Sequence, residues 1–385
     1  MRHSLTTQLL TSLSLILLSS THSVLGAPGR SSSNVERRAT VCNGHAELCG
    51  KSFGSVSFVG AHDSYAVGTN NLAVNQDQNN LIGCNSVTTQ LNDGIRMLQM
   101  QAHNQNGDIH LCHTQCSLYD GGSLHDYLST VRDWLNTNPN EVLSLLIVNI
   151  DNLPVAQYDA IFKAVGLDVT SFVPPSTPLP ATSWPTLGSM IDSTKRLVTF
   201  MDNGADGSVP YILDEFTHVW ETEFNVVDPS FNCNINRTNG NVDPAGQMYL
   251  INHFLDKTVL GNPVPFIEKL NETNAASGAG SLEEQVDNCV TQHSKPPNFL
   301  LVDFYEFGGG SVFDVAARIN NVQYNPTKPI ASPVPTGSGA SSTAQTSSRP
   351  LNGASPAFGL LPHELTLSLI SAIAVAAIGP VLLFL

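Results

Sequence analysis

Short apolar runs alternate with amphipathic stretches through the middle of this chain. Strand-like runs fall at residues 56–59, 95–100, 109–112, 142–150, 197–201, 248–252 and 299–303. Between them, Leu124, Leu128, Val131 and Leu135 recur at helical spacing behind Ser123, whose hydroxyl can cap the first turn, and Pro139 ends the segment. Strand, helix, strand in that order predicts parallel pairing. The nearly unbroken apolar run 142–148 suits a strand buried on both faces. A body over residues 41–325 then fits a single α/β barrel, a fold that takes about 250 residues.

The two ends carry different patterns. A basic start, a short apolar core at 13–18 and the small residues Gly26-Ala27 predict a signal peptide over 1–27. Residues 28–40 are Ser-rich, and Glu36-Arg37-Arg38 leaves two readings open, a propeptide cut near Ala39 or a flexible arm. Residues 326–352 turn to Pro, Ser, Thr, Gly and Ala, a composition that cannot bury a core and reads as a stalk. The uncharged apolar stretch 365–385 follows a spacer and the small residues Asn352-Gly353-Ala354. That layout predicts a glycosylphosphatidylinositol attachment signal over 353–385 with Asn352 as the attachment residue, the rival being a retained transmembrane helix. The expected product is secreted and held at the cell surface, at the plasma membrane or wall, through a lipid anchor.

Charge narrows the partners. The chain has 17 Lys+Arg against 32 Asp+Glu, a formal net charge of -15, with no basic run longer than Arg37-Arg38. Nucleic acid and anionic surfaces therefore find no electrostatic footprint, and a monomer is expected. Seven cysteines on a secretory route favour disulfides. Spacing pairs Cys42 with Cys49, Cys112 with Cys116 and Cys233 with Cys289, leaving Cys84 odd; no zinc-finger spacing competes. Asn236 and Asn271 head glycosylation sequons.

Polar residues follow the strand-like runs at once: His62-Asp63, His113, Asn149 and Asp151, Asp202-Asn203, Asn252-His253 and Asp303. In a parallel barrel such positions converge on the C-terminal rim, where active sites are built. Two imidazoles and a carboxylate there suit a general base, a general acid and an orienting group. The remaining histidines, among them His103, His110, His125, His218, His253 and His293, read individually as structural or surface residues.

Three stretches carry a family likeness: Ser57-Phe58-Val59-Gly60-Ala61-His62-Asp63-Ser64, then Gln90-Leu91-Asn92-Asp93-Gly94-Ile95-Arg96, then Leu111-Cys112-His113. Together with Asn138-Pro139-Asn140-Glu141 they resemble the catalytic X region of phosphatidylinositol-specific phospholipases C, nearest to secreted fungal phospholipase C-like phosphodiesterases. The resemblance implies a distorted TIM barrel. It implies His62 as general base, His113 as general acid and Asp303 as the carboxylate orienting His62; beside these, Asp63, Gln99, Gln101 and, from their places at strand ends, Asn149 and Asp202 are expected to bind substrate. It implies an inositol phospholipid or glycosylphosphatidylinositol glycolipid as substrate, cleaved through a cyclic inositol phosphate.

One departure matters. Bacterial relatives carry an acid and an arginine, and calcium-dependent ones two acids, where this chain has Gln99 and Gln101. A glutamine amide can bond phosphate but brings no full charge, and the loss of both carboxylates leaves a hard cation without ligands, so no cofactor or metal is expected. Strand alternation sends Arg96 to the opposite face, leaving His103 or Lys195 to supply charge. A glycerophosphodiester or sphingolipid head group is a second substrate reading, opposed by the missing Glu-x-Asp pair. A third reading is a catalytically silent barrel that binds wall or glycolipid components.

Overall fold

The computed structural model describes residues 38–68, 74–76, 86–326 and 328–330. The expected signal segment, most of the propeptide and of the stalk, Asn352 with its attachment signal, and Cys84 lie outside the described residues.

In chain order the elements are β1 (Phe58–Ala61), α1 (Ser86–Asp93), β2 (Met97–Gln105), β3 (Asp108–Cys112), β4 (Asp120–Ser123), α2 (Leu124–Thr137), β5 (Leu143–Asn149), α3 (Val155–Val165), α4 (Leu187–Asp192), β6 (Leu197–Met201), β7 (Ile212–Asp214), α5 (Glu215–His218), β8 (Val219–Glu221), β9 (Met248–His253), β10 (Asp256–Val259), β11 (Asn262–Pro265), α6 (Leu270–Thr273), α7 (Leu282–His293), β12 (Phe299–Val302) and α8 (Ser311–Asn320). Eight strands make one curled parallel sheet in the order β7-β6-β5-β2-β1-β12-β9-β8. This is the expected α/β barrel, distorted by a seam. β7 and β8 stand at the two edges and share no ladder, although they are consecutive in the chain and joined by the four residues of α5. A parallel pair needs a crossover of a dozen or more residues, which a link of this length cannot supply.

Alternation along each strand sorts the side chains into two cores. Val59, Leu98, Met100, Leu145, Ile147, Leu300 and Val302 pack outward with residues of the helices, α2 contributing Leu124, Tyr127, Leu128, Val131, Trp134 and Leu135. Phe58, Met97, Leu146, Phe200, Leu250, Phe299 and Leu301 pack inward. The inward rows change chemistry as they climb: Phe58, Gly60, His62; Met97, Gln99, Gln101; Phe299, Leu301, Asp303. The barrel is thus apolar at its base and polar at its C-terminal rim. Gly60 is needed where these rows meet, because a Cβ there would lie 3.0 Å from a Leu301 methyl and 3.2 Å from the Met97 Cβ.

Several expectations need correcting. The run 109–112 forms β3, yet it pairs antiparallel with β2 and with β4, outside the parallel circuit. β7 and β8 escape a periodicity reading because each has three residues. The capped helix behind Ser123 is α2; the Ser123 hydroxyl accepts the Asp126 N–H at 3.1 Å. The bridges Cys42–Cys49, Cys112–Cys116 and Cys233–Cys289 are formed. Among the described residues no helix is long and apolar enough to cross a membrane.

Candidate active site

His62 follows β1 and Asp303 follows β12, and the ladder between these strands brings the two side chains together. His62 Nδ1 lies 2.8 Å from Asp303 Oδ1, while Asn75 donates to Asp303 Oδ2 at 3.1 Å. The His62 backbone is pinned as well: its N–H donates to the Val302 carbonyl at 3.0 Å, and the Gln76 amide donates to the carbonyls of His62 and Val302 at 2.8 and 2.9 Å. Asp63 and Phe304, the residues after His62 and Asp303, both adopt left-handed φ, 41° and 43°. Non-glycine residues hold that conformation when the surroundings fix them, and such residues concentrate at functional sites.

Asp63 is fully buried and organises the opposite half of the site. One of its oxygens, Oδ2, lies 3.7 Å from His62 Nε2 and 3.4 Å from His113 Nε2, and accepts the Gln101 amide at 2.8 Å. The Asp63 N–H donates to Gln99 Oε1 at 2.6 Å, and Gln101 Oε1 accepts the Thr114 N–H at 3.2 Å. The two glutamines therefore frame Asp63 and the His113 loop. His113 reaches the rim because the β2–β3 hairpin folds back and the Cys112–Cys116 bridge tightens the turn after it.

Electrostatics separates the two imidazoles. Burial opposes a charge on His62, but Asp63 and Asp303 outweigh it and raise its pKa to about 9. At His113 burial prevails over the attraction of Asp63, and its pKa is lowered from the usual 6.5. Burial also raises the Asp63 carboxyl, against the pull of His62 and His113. Asp256, at the start of β10, is raised to about 7 by burial and by the negative charge of Asp303. At neutral pH the histidine pair holds one proton, resting on His62.

Other expected residues have other duties. Asn149 is fully buried and its amide is spent on its own loop: it donates to the Leu153 carbonyl at 2.9 Å and accepts from the Leu153 N–H at 2.9 Å and the Tyr158 hydroxyl at 2.7 Å. Asp202 accepts the Asn149 N–H at 2.8 Å and the Asn203 amide at 3.0 Å, and burial raises its pKa. Arg96 pairs with Glu141 at 2.7 Å and covers the Trp134 ring on the helix side of the sheet. Lys195 lies before β6, at the far end of the barrel, and bonds the Val169 carbonyl. His103 faces Asp151 at 3.7 Å. His253 points away from the site to Gln285 and the Thr273 carbonyl, and burial lowers its pKa to about 4. Both sequon asparagines, Asn236 and Asn271, are exposed.

Sequence reasoning missed Asn75, Gln76 and Phe254, whose ring stacks on His62. It also missed a charged group on the seam side: Glu221 accepts from Arg237 at 2.9 Å, and Glu215 is buried beside it, its pKa pushed well up by burial and by Glu221. The amide and aromatic residues carry no strand-end signature, and Glu215 and Glu221 belong to the short elements that periodicity did not resolve. Among the described residues, no group of three or more His, Cys, Asp or Glu side chains is gathered in a way that could hold a metal ion.

The family model described as PI-PLC X 1 matches residues 48–320. A protein of Arthroderma benhamiae described as an uncharacterized secreted protein is 46% identical over 296 residues, covering 74% of this chain and 65% of that one, so this chain spans just under two thirds of that relative. A PI-PLC X domain-containing protein 1 of the same organism is 45% identical over 272 residues, 70% of this chain and 86% of the relative. Among solved structures, a phosphatidylinositol-specific phospholipase C from Listeria monocytogenes aligns over 72% of this chain and 98% of its own, at 15% identity and a TM-score of 0.46.

Proposed function

The chain belongs to the PI-PLC X family, and from that membership we propose that it is an extracellular phosphodiesterase of the phospholipase C type. The secreted relative and the three disulfides support the compartment. The observation that carries the chemistry is the single Asp63 oxygen facing Nε2 of both His62 and His113, with Asp303 behind His62.

The substrate is an inositol phospholipid or a glycosylphosphatidylinositol glycolipid, whose hydroxyl next to the phosphate is an internal nucleophile. Neutral His62 takes the proton from that hydroxyl, its oxygen attacks phosphorus, and protonated His113 gives its proton to the departing alcohol oxygen. The products are a cyclic phosphate and the lipid alcohol, with no covalent enzyme intermediate. The resting proton sits on the other ring, so the working form is the less populated of two states with the same total charge. Asp63 borders both rings and stabilises either arrangement. The glutamines bring no charge for a hard cation, which supports turnover without metal.

The test is release of cyclic inositol phosphate from phosphatidylinositol by the purified chain, with and without chelator. Release that survives the chelator is expected. No release from phosphatidylinositol or from a glycosylphosphatidylinositol substrate overturns the enzyme reading. The silent-barrel reading then takes over; it is supported by Gln99 and Gln101, which bring no full positive charge to the phosphate and whose amides bond Asp63.

A further inference from the structure

The segment that precedes β1 grips α4 at both of its ends. The carbonyls of Lys51 and Cys49 accept the N–H groups of Leu187 and Gly188 in the first turn, each at 3.0 Å. At the other end the Ala39 backbone nitrogen donates to Oδ1 of Asp192, the last residue of α4, at 2.7 Å, and the Ala39 side chain packs against the inward core. Between these attachments the chain is held by the Cys42–Cys49 bridge and by the two bonds that Asn43 exchanges with Val142, at 2.7 and 3.0 Å.

Fixation begins at Ala39. Arg38 is exposed, and neither a hydrogen bond nor an ion pair holds it among the described residues. Residues 38–40 form no helix or strand, and the bond after Arg38 follows the basic pair Arg37-Arg38. Exposed backbone without secondary structure is where proteases cut.

The carboxylate that Ala39 reaches lacks a counter-charge. An acid in the last turn of a helix faces the negative end of the helix dipole, a place that favours a cation. No basic residue occupies the last turn of α4, and among the described residues Asp192 has no Lys, Arg or His ion-pair partner. The next cations along the chain, Lys195 and Arg196, bond backbone carbonyls instead, Lys195 that of Val169 and Arg196 those of Leu135 and Asn138.

We propose that the Arg38–Ala39 bond is a processing site and that its hydrolysis sets the freed α-ammonium of Ala39 on Asp192. The cut is made by an endoproteinase specific for paired basic residues. Water breaks the peptide C–N bond, its hydroxyl going to the Arg38 carbonyl carbon and its hydrogen to the Ala39 nitrogen. The new Arg38 carboxyl gives up a proton and the new amine takes one, since an α-amino group is largely protonated at neutral pH. A bond from a neutral amide thereby becomes a charge-assisted one. Of the two readings of residues 28–40, the propeptide is the one selected, and it stands apart from the phosphodiesterase reading.

The test compares the full chain, secreted from a host that carries such an endoproteinase, with the Arg37→Gln/Arg38→Gln variant, which keeps the bond. Amino-terminal sequencing should start at Ala39 in the first and upstream of it in the second. Asp192→Asn retains the acceptor oxygen and removes the charge. It should lower the thermal midpoint of the cleaved chain by roughly 1–3 °C, the size of one exposed ion pair in a chain of this length, and leave the uncleaved chain unchanged. At about 1 M salt that difference should shrink. Cyanate, which modifies the unprotonated α-amine, should react with Ala39 several-fold faster in the cleaved Asp192→Asn chain, where no carboxylate holds the proton. A wild-type chain that begins upstream of Ala39, an Asp192→Asn effect on the midpoint that is equal in the two forms, or an unchanged cyanate rate overturns the proposal.

Discussion

The His62 imidazole lies flat on the Phe254 ring, centroids 3.9 Å apart and planes 4° apart. Phe254 closes one face of the base to water and leaves its edge for the substrate hydroxyl. Aromatic pairs are worth about 0.5–1.5 kcal/mol beyond their buried area, up to roughly tenfold in rate if the ring must hold one angle. Phe254→Leu should lower kcat/KM by up to that factor while the thermal melt stays cooperative, and Phe254→Tyr should stay near wild type. Equal kcat/KM in all three would show that the platform has no part in turnover.

The pH profile follows from the unequal histidines. Catalysis needs one proton on the pair. Above about 9 His62 gives up that proton and activity falls; below the depressed pKa of His113 the pair takes a second proton and activity falls again. A broad bell in kcat/KM is expected, its acid limb below the usual histidine value of 6.5. Asp63, Asp303 and Asp256 all favour the charged form of His62. Asp256→Asn removes one of these negative charges, so the alkaline limb should move to lower pH. A limb that stays put would separate Asp256 from the base.

Leaving-group chemistry distinguishes the two rings. His113→Ala should cost about 10²–10⁴-fold on an inositol phospholipid, with partial recovery on a substrate whose phenol-like leaving group departs without a proton. His62→Ala should lose as much and recover nothing, since the attacking hydroxyl still needs a base. Recovery in both variants, measured as initial rates, would reverse or dissolve the assigned roles.

How much of this was legible in the sequence depends on the length of each element. His62, His113 and Asp303 stand out because each ends an apolar run long enough to read. Period two put Met97, Gln99 and Gln101 on one face and Arg96 on the other, and the family likeness told which face is inward. What the glutamines do did not follow. Their bonds to Asp63 depend on its left-handed backbone, which turns the carboxylate toward β2, and no periodicity encodes that turn. Asn149 shows the opposite failure: a polar residue at a strand end was read as facing substrate, yet its own loop takes up the amide.

Gln101 donates to the Asp63 oxygen that both imidazoles face. An arginine there would bring a full charge, and charge-assisted bonds are worth about 1.5–3 kcal/mol. Gln101→Arg should raise kcat/KM by roughly tenfold or more. It should also offset Asp63, so that the alkaline limb moves to lower pH. A gain in rate with an unmoved limb would mean that the new charge acts on phosphate alone.

The seam between β7 and β8 gives the barrel a mechanical weak line. Edge strands of three residues each hold few ladder bonds, whereas β2 and β5 at the middle of the sheet are paired on both sides. Deuterium should therefore enter the amides of Ile212–Asp214 and Val219–Glu221 well before those of Leu143–Asn149. Glu215, Glu221 and Arg237 sit on this line, and the bridge and ion pair between Arg237 and Glu221 tie β8 to the loop that follows it, so early exchange at Val219–Glu221 would report the loss of that tie rather than of the ladder joining His62 to Asp303.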